Sequence, residues 1–351
     1  MNQTALPPTT LADSNALTRF RGPIWTLLLL APFIAEVLSG ATRTSVLFVY
    51  IPEVMVWGVG ALLARELVRR WRAGGVSLLC LGLALSIVEE CIVQQTSLAP
   101  MPFAGSHDYA RVWGINLVYF LFMLGFESVW VVVVPVQITE LFIPERRELP
   151  WLRKPGLIVS CFVFLIGCRM AWYAWIKRAR PMMHAAPYQV PSSYLVAGFL
   201  AIAALIALAY ALRNLARPCS ADTRKTAPPW LAFLVALVMG AAWFELVAQN
   251  FVPKPVQPFW IVFYAGLAWA LVAFILFVWW SSRPAWTDVH RFAAAFGATV
   301  ACQAMPYVTL ATWPRVDQIG KAIFDILALI GFFLLGRRVM VRSRRRPQSA
   351  D

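Results

Sequence analysis

Residues 259–280 read FWIVFYAGLAWALVAFILFVWW, an unbroken run with no charged side chain. A helix rises about 1.5 Å per residue, so about 20 mostly apolar residues cross the hydrocarbon core of a bilayer. A helix apolar on every side has no water-facing surface, and its natural solvent is lipid. Similar runs recur along the chain. The spacing predicts helices over 24–40, 45–64, 76–95, 112–136, 157–176, 193–212, 230–249, 259–280, 292–311 and 319–336, the last two being the least apolar.

Composition agrees with this reading. Apolar residues make up 60% of the 351 positions and charged ones 14%, and the mean hydropathy is +0.67, beyond what a water-soluble chain of this length carries. Many of the 16 Trp fall near segment ends, among them Trp25, Trp71, Trp113, Trp151, Trp230, Trp260, Trp279 and Trp280, where an amphipathic ring suits the headgroup layer. The expected fold is all-α: a polytopic transmembrane helical bundle of about ten membrane-spanning helices. Its parts are a cytoplasmic segment 1–23, a membrane domain 24–336 and a basic tail 337–351.

The net charge of +14 raises nucleic acid as a partner, but the basic residues lie in short loops and in the tail, not along one soluble face. Topology accounts for them better. With the N-terminus inside, 22 of the 31 Lys and Arg fall on the cytoplasmic side and 8 on the other, which sets both ends inside. Lys177, Arg178 and Arg180 dissent by facing outward. The expected partners are the lipid bilayer, anionic headgroups at the tail Arg337 to Arg346, and a proton or small ion. The six Cys show no CxxC spacing, Cys219 stands alone in a loop, and no stretch has the marks of a cleaved leader. No cofactor is expected: His107, His184 and His290 lack metal-ligand spacing, and neither a nucleophile elbow nor a phosphate loop occurs.

Ionisable side chains within the expected spans point to function, because each costs several kcal/mol to insert, on the order of 3 for a charge at the helix centre. Glu36, Glu53, Glu89, Glu90, Glu127, Glu245 and Asp325 are such residues, with only Arg169 and Lys321 as cations at comparable depth. Helix direction places Glu36, Glu89, Glu90, Glu245 and Asp325 in the outer half, Glu53 near the middle and Glu127 in the inner half. Gln94 shares a helix face with Glu90, and Gln95, Gln249 and Asn250 lie level with it. The expectation is a wet cavity opening outward between the first, third, seventh and tenth helices, with Arg169 as balancing charge. Asp325 and Lys321, four residues apart, also suit a plain ion pair. Two neighbouring carboxylates, Glu89 and Glu90, do not both ionise in a low dielectric, so one is free to give or take a proton. Ala35-Glu36-Val37-Leu38 is echoed by Phe244-Glu245-Leu246-Val247, which suits related roles for helices one and seven.

Ile87-Val88-Glu89-Glu90-Cys91-Ile92-Val93-Gln94 resembles the first motif of the CAAX-protease and bacteriocin-processing family of membrane enzymes, a Glu-Glu pair followed after three residues by Arg. Gln94 stands at that last position here, and the family's later Phe-xxx-His pattern has no counterpart. The stretches Ala35 to Thr42 and Ala61 to Leu67, with the Glu-Glu helix, are similar to bacterial multi-pass membrane proteins without an assigned activity. That resemblance implies a bacterial cytoplasmic membrane. The leading functional expectation is a proton- or cation-coupled transporter using the intramembrane carboxylates. The alternatives are a metal-independent intramembrane hydrolase or lipid-modifying enzyme, and a non-catalytic assembly subunit.

Overall fold

The structure, a computed structural model, describes residues 22–100, 109–215, 226–251 and 255–345. Cys219, the side chains of Gln249 and Asn250, most of segment 1–23 and the end of the tail lie outside what is described. Among the described residues ten helical stretches follow one another: α1 Gly22–Leu38, α2 Thr44–Arg70, α3 Gly75–Val93, α4 Leu117–Phe142, α5 Lys154–Met182, α6 Ser192–Asn214, α7 Pro229–Phe251, α8 Phe259–Ser281, α9 Asp288–Ala304 and α10 Arg315–Arg345. Eight are long and apolar enough to cross a membrane; α1 is shorter, and α9 has 17 residues. The chain is an all-α, multi-pass helical membrane protein.

Among the described residues, the hydrogen bonds and ion pairs between helix ends fall into two groups, one at each end of the bundle. At one end Ser45, at the start of α2, gives its N–H and hydroxyl to Asp317 of α10 at 2.8 and 3.0 Å. At that same end Arg180 reaches the carbonyls of Pro100 and Ala186. At the other end Arg147 pairs with Asp288 at 2.7 Å, and Arg342 donates to the Leu141 carbonyl. We call these the Gly40 end and the Arg65 end.

Burial sorts the helices. In α3, 72% of the apolar window is covered by protein, so it is central; in α5, α6 and α8 only 11% is, leaving Phe162, Leu200 and Leu271 exposed. The run at 259–280 is apolar all round because it has lipid on most sides. Backbones approach closely where a side chain is missing. A Cβ on Gly58 would stand 2.2 Å from the Leu28 carbonyl oxygen, and one on Gly297 2.2 Å from that of Phe233, which brings α1 onto α2 and α7 onto α9. A ring stack of Phe122, Phe126, Trp130 and Phe244 fills the space between α4 and α7, and Trp130 donates its indole N–H to the Ala298 carbonyl at 2.8 Å.

Three boundaries differ from the sequence expectation. Helix α10 continues to Arg345, so the basic stretch from Arg337 is helical up to that residue; the sequence offers no Gly or Pro to stop it between Gly336 and Pro347. Helix α5 runs on to Met182 and carries the dissenting cations. Arg180 is buried there because loop carbonyls satisfy its fork, and Lys177 and Arg178 lie against the rings of Trp172 and Tyr173. Helix α4 starts at Leu117 and not at 112, because Arg111–Val112 and Ile115–Asn116 pair as a two-residue hairpin and Asn116 caps the helix through the Tyr119 N–H.

Candidate functional site

Four helices break their regular winding at a glutamate. Helix α1 passes into a π turn at Phe33–Leu38, which holds Glu36. In α2 the π turn Val54–Gly58 follows directly on Glu53. In α3 it spans Val88–Val93 and holds Glu89 and Glu90, and in α4 it begins at Glu127 and ends at Val133. Fewer than about 1% of residues in soluble proteins adopt this winding, and it gathers at functional sites. A further π turn in α5, Tyr173–Ala179, carries the Lys177 and Arg178 already placed.

The starting point of α4 brings these acids together. Glu127 lies ten residues from the start of its helix, about 15 Å along the axis, and not deep in the opposite half as the earlier start implied. Glu89 lies within Coulomb range of Glu90, Glu36 and Glu53, and Glu127 within that of Glu89, Glu90 and Glu36. The acids therefore meet from α1, α2, α3 and α4. The expected walls were the first, third, seventh and tenth helices, so two of the four are corrected.

Within the cluster the partners are unequal. Glu90 is fully satisfied: Thr96 donates its hydroxyl at 2.7 Å, and Ser97 gives its N–H at 2.9 Å and its hydroxyl as well. It ties down the segment 95–99, which is buried beneath the end of α3. Glu53 accepts one hydrogen bond, from the Thr42 hydroxyl, and its second oxygen has no partner. Glu89 and Glu127, each 1% exposed, have no hydrogen-bond partner on either oxygen. Glu36 is half-buried, as is Tyr119 of α4, which hydrogen-bonds Thr96 and stands near Glu90, Glu127 and Glu36. Burying an unpaired carboxylate is expensive, and two such groups lie here within Coulomb range of each other. Among the described residues no group of three His, Cys, Asp or Glu is gathered closely enough to hold a metal ion.

Three other expected site residues stand apart. Glu245 is exposed on the outer surface of α7, so its sequence echo of Glu36 does not extend to its surroundings. Arg169 is exposed on α5, lies over the rings of Trp172 and Tyr173, and forms no ion pair with the acids among the described residues; it balances none of them. Asp325 is bound by Lys321 at 2.5 Å, by the Tyr307 hydroxyl at 3.0 Å and by the Gln303 amide at 3.4 Å, an ion pair closed on itself. Gln94 is half-buried, and its N–H bonds the Glu89 carbonyl at 2.8 Å in the π turn.

The sequence reading missed a second buried charge group, at the Arg65 end. Arg65 stacks 3.5 Å over Trp151, pairs with Glu66 at 3.0 Å and Glu140 at 3.2 Å, and donates to the carbonyls of Arg146 and Arg147. Arg69 grips Glu140 at 2.6 Å, and Glu66 accepts the N–H groups of Trp151 and Leu152. Every charge here has an opposite partner, and the group clamps the 143–152 loop onto α2. The signal was present as acids and arginines at the ends of two spans, but it reads there as ordinary topology.

Comparisons with family models, with curated proteins and with solved structures return no match for this chain.

Proposed function

We propose that this chain is a proton-coupled carrier of a bacterial cytoplasmic membrane, with both ends inside, in which Glu89 and Glu127 hold the exchanging protons. One observation carries the reading: two fully buried carboxyl groups from different helices, within Coulomb range of each other at π turns, have no hydrogen-bond partner and no paired cation among the described residues. Glu36 and Glu53 complete the acceptor set, and Tyr119 stands near Glu90, Glu127 and Glu36. Glu90 is assigned to holding the loop and not to exchange, since all its contacts are already made. The carboxylates do not converge on one point, which favours protons over a coordinated metal cation.

The test is proton uptake by vesicles containing the purified chain under an imposed membrane potential. Wild type takes up protons; Glu89→Gln and Glu127→Gln do not. Uptake equal to that of empty vesicles in the wild type, or equal to wild type in both variants, overturns the reading.

The Glu-Glu motif supports a second reading, an intramembrane hydrolase in which Glu89 activates water. Under it the same variants lose product formation while no proton flux is found in any of them.

A further inference from the structure

The acid cluster is sealed by protein on most sides, yet one of its members touches a surface feature. At the Gly40 end a shallow notch is lined by Gly40, Thr42, Thr44, Trp313 and Lys321, among others. Thr42 lines this notch and is itself buried, and its hydroxyl donates to Glu53. The other Glu53 oxygen is buried and has no partner. Glu53 in turn lies within Coulomb range of Glu36 and Glu89, and Glu89 within that of Glu127. Notch, hydroxyl and carboxyl groups thus form an ordered series leading inward from one end of the bundle.

We propose that protons enter the cluster from the Gly40 end through Thr42 and Glu53, in that order. This rests on the proton-carrier reading above and gives it a direction. In the first step a hydronium in the notch gives a proton to Thr42 Oγ1 as the Thr42 O–H bond breaks and its own proton bonds to Glu53 Oε1. A water molecule remains in the notch and the threonine stays neutral. The Glu53 proton then passes to the carboxylate of Glu36 or Glu89, leaving Glu53 ready to accept again.

The surroundings suit the role. Glu53 is faced by Glu36 from α1 and Glu89 from α3, with Tyr50 on its own helix, and Cys168 of α5 lies near Glu89. At the notch the charges are Arg43, Asp317 and Lys321. Lys321 is held by Asp325, and Asp317 is engaged by Ser45, so neither has its charge directed at Thr42. Arg43 lies 4.0 Å from the centre of the Trp313 ring.

Proton uptake by vesicles containing the full chain tests the order. Thr42→Val removes the relay hydroxyl and keeps the shape, and uptake should fall about a hundredfold or more, within the range for losing a positioned proton donor. Thr42→Ser should restore it. A second measurement acts on folded protein: Arg43→Cys, at a half-buried lining position of the notch, is purified, then blocked with a bulky thiol reagent, and uptake should drop relative to unblocked Arg43→Cys while the same reagent leaves wild type unchanged. If Thr42→Val runs at the wild-type rate and blocking Arg43→Cys changes nothing while Glu89→Gln is silent, the entry route is wrong and the carrier reading stands. If wild type itself shows no uptake, both fall.

Discussion

Glu89 and Glu90 are neighbours in the chain and opposites in surroundings: Glu90 accepts three hydrogen bonds from Thr96 and Ser97, and Glu89 accepts none. The difference predicts unequal effects on stability. Glu90→Ala strands buried donors and should cost about 1–3 kcal/mol, seen as a lower unfolding temperature in detergent. Glu89→Gln replaces an unpartnered acid by a neutral group of the same shape, so stability should hold while proton uptake disappears. An unfolding temperature that falls further for Glu89→Gln than for Glu90→Ala would reverse the assignment of roles.

Chemical modification reads the same pair without any knowledge of what the protein moves. Dicyclohexylcarbodiimide is an apolar reagent that adds to protonated carboxyl groups in dry surroundings. Glu89 and Glu127, buried and without hydrogen-bond partners, should carry the adduct after digestion and mass spectrometry. Glu90 should stay unmodified because its oxygens are occupied. Adducts confined to the exposed Glu245 would show that the cluster is charged or closed to the reagent.

The apolar runs were enough to read ten helices, because lipid demands length and hydrophobicity of every span. Depth placed Glu36 and Glu89 at one level, but it misplaced Glu127, because the expected start of its helix at 112 lies in the hairpin before Leu117. The facing of each residue was not legible. A π turn carries an extra residue, which rotates everything beyond it by about 100° relative to a regular helix. Glu36, Glu89, Glu90 and Glu127 sit in such turns and Glu53 flanks one, so counting in steps of 3.6 could not separate Glu89 from Glu90. The opposite error befell Glu245 and Arg169. Both looked buried because their helices are apolar, and both are exposed, Glu245 on α7 and Arg169 on α5 at the edge of the bundle. Thr42 and the Thr96-Ser97 pair escaped notice because they lie in loops that fold back against the acids.

Removal of Arg65 should be the most damaging single change at the other end of the molecule. Its guanidinium is fully buried between Glu66 and Glu140, with Trp151 stacked against it. Arg65→Met leaves two buried carboxylates short of a partner, and breaking a buried pair from one side costs about 3–5 kcal/mol. Arg65→Lys keeps the charge and loses the planar fork, so it should recover only part of that. Thermal unfolding in detergent orders the three proteins, wild type highest and Arg65→Met lowest. Equal unfolding temperatures for Met and Lys would show that charge at this position does not hold the loop.

The pair of Lys321 and Asp325 separates a structural charge from a working one. Lys321 is buried, and Asp325 takes its ammonium together with the Tyr307 hydroxyl and the Gln303 amide, so nothing in the pair is left over for exchange. Lys321→Met alone leaves an acid without its cation inside the bundle and should cost about 3–5 kcal/mol. Lys321→Met with Asp325→Leu removes both charges; apolar replacement of a whole buried pair is often neutral, so the double variant should unfold near the wild-type temperature. It should also keep proton uptake, which the Glu89→Gln variant does not. A double variant that is stable but takes up no protons would move Asp325 from the frame of the protein into the relay.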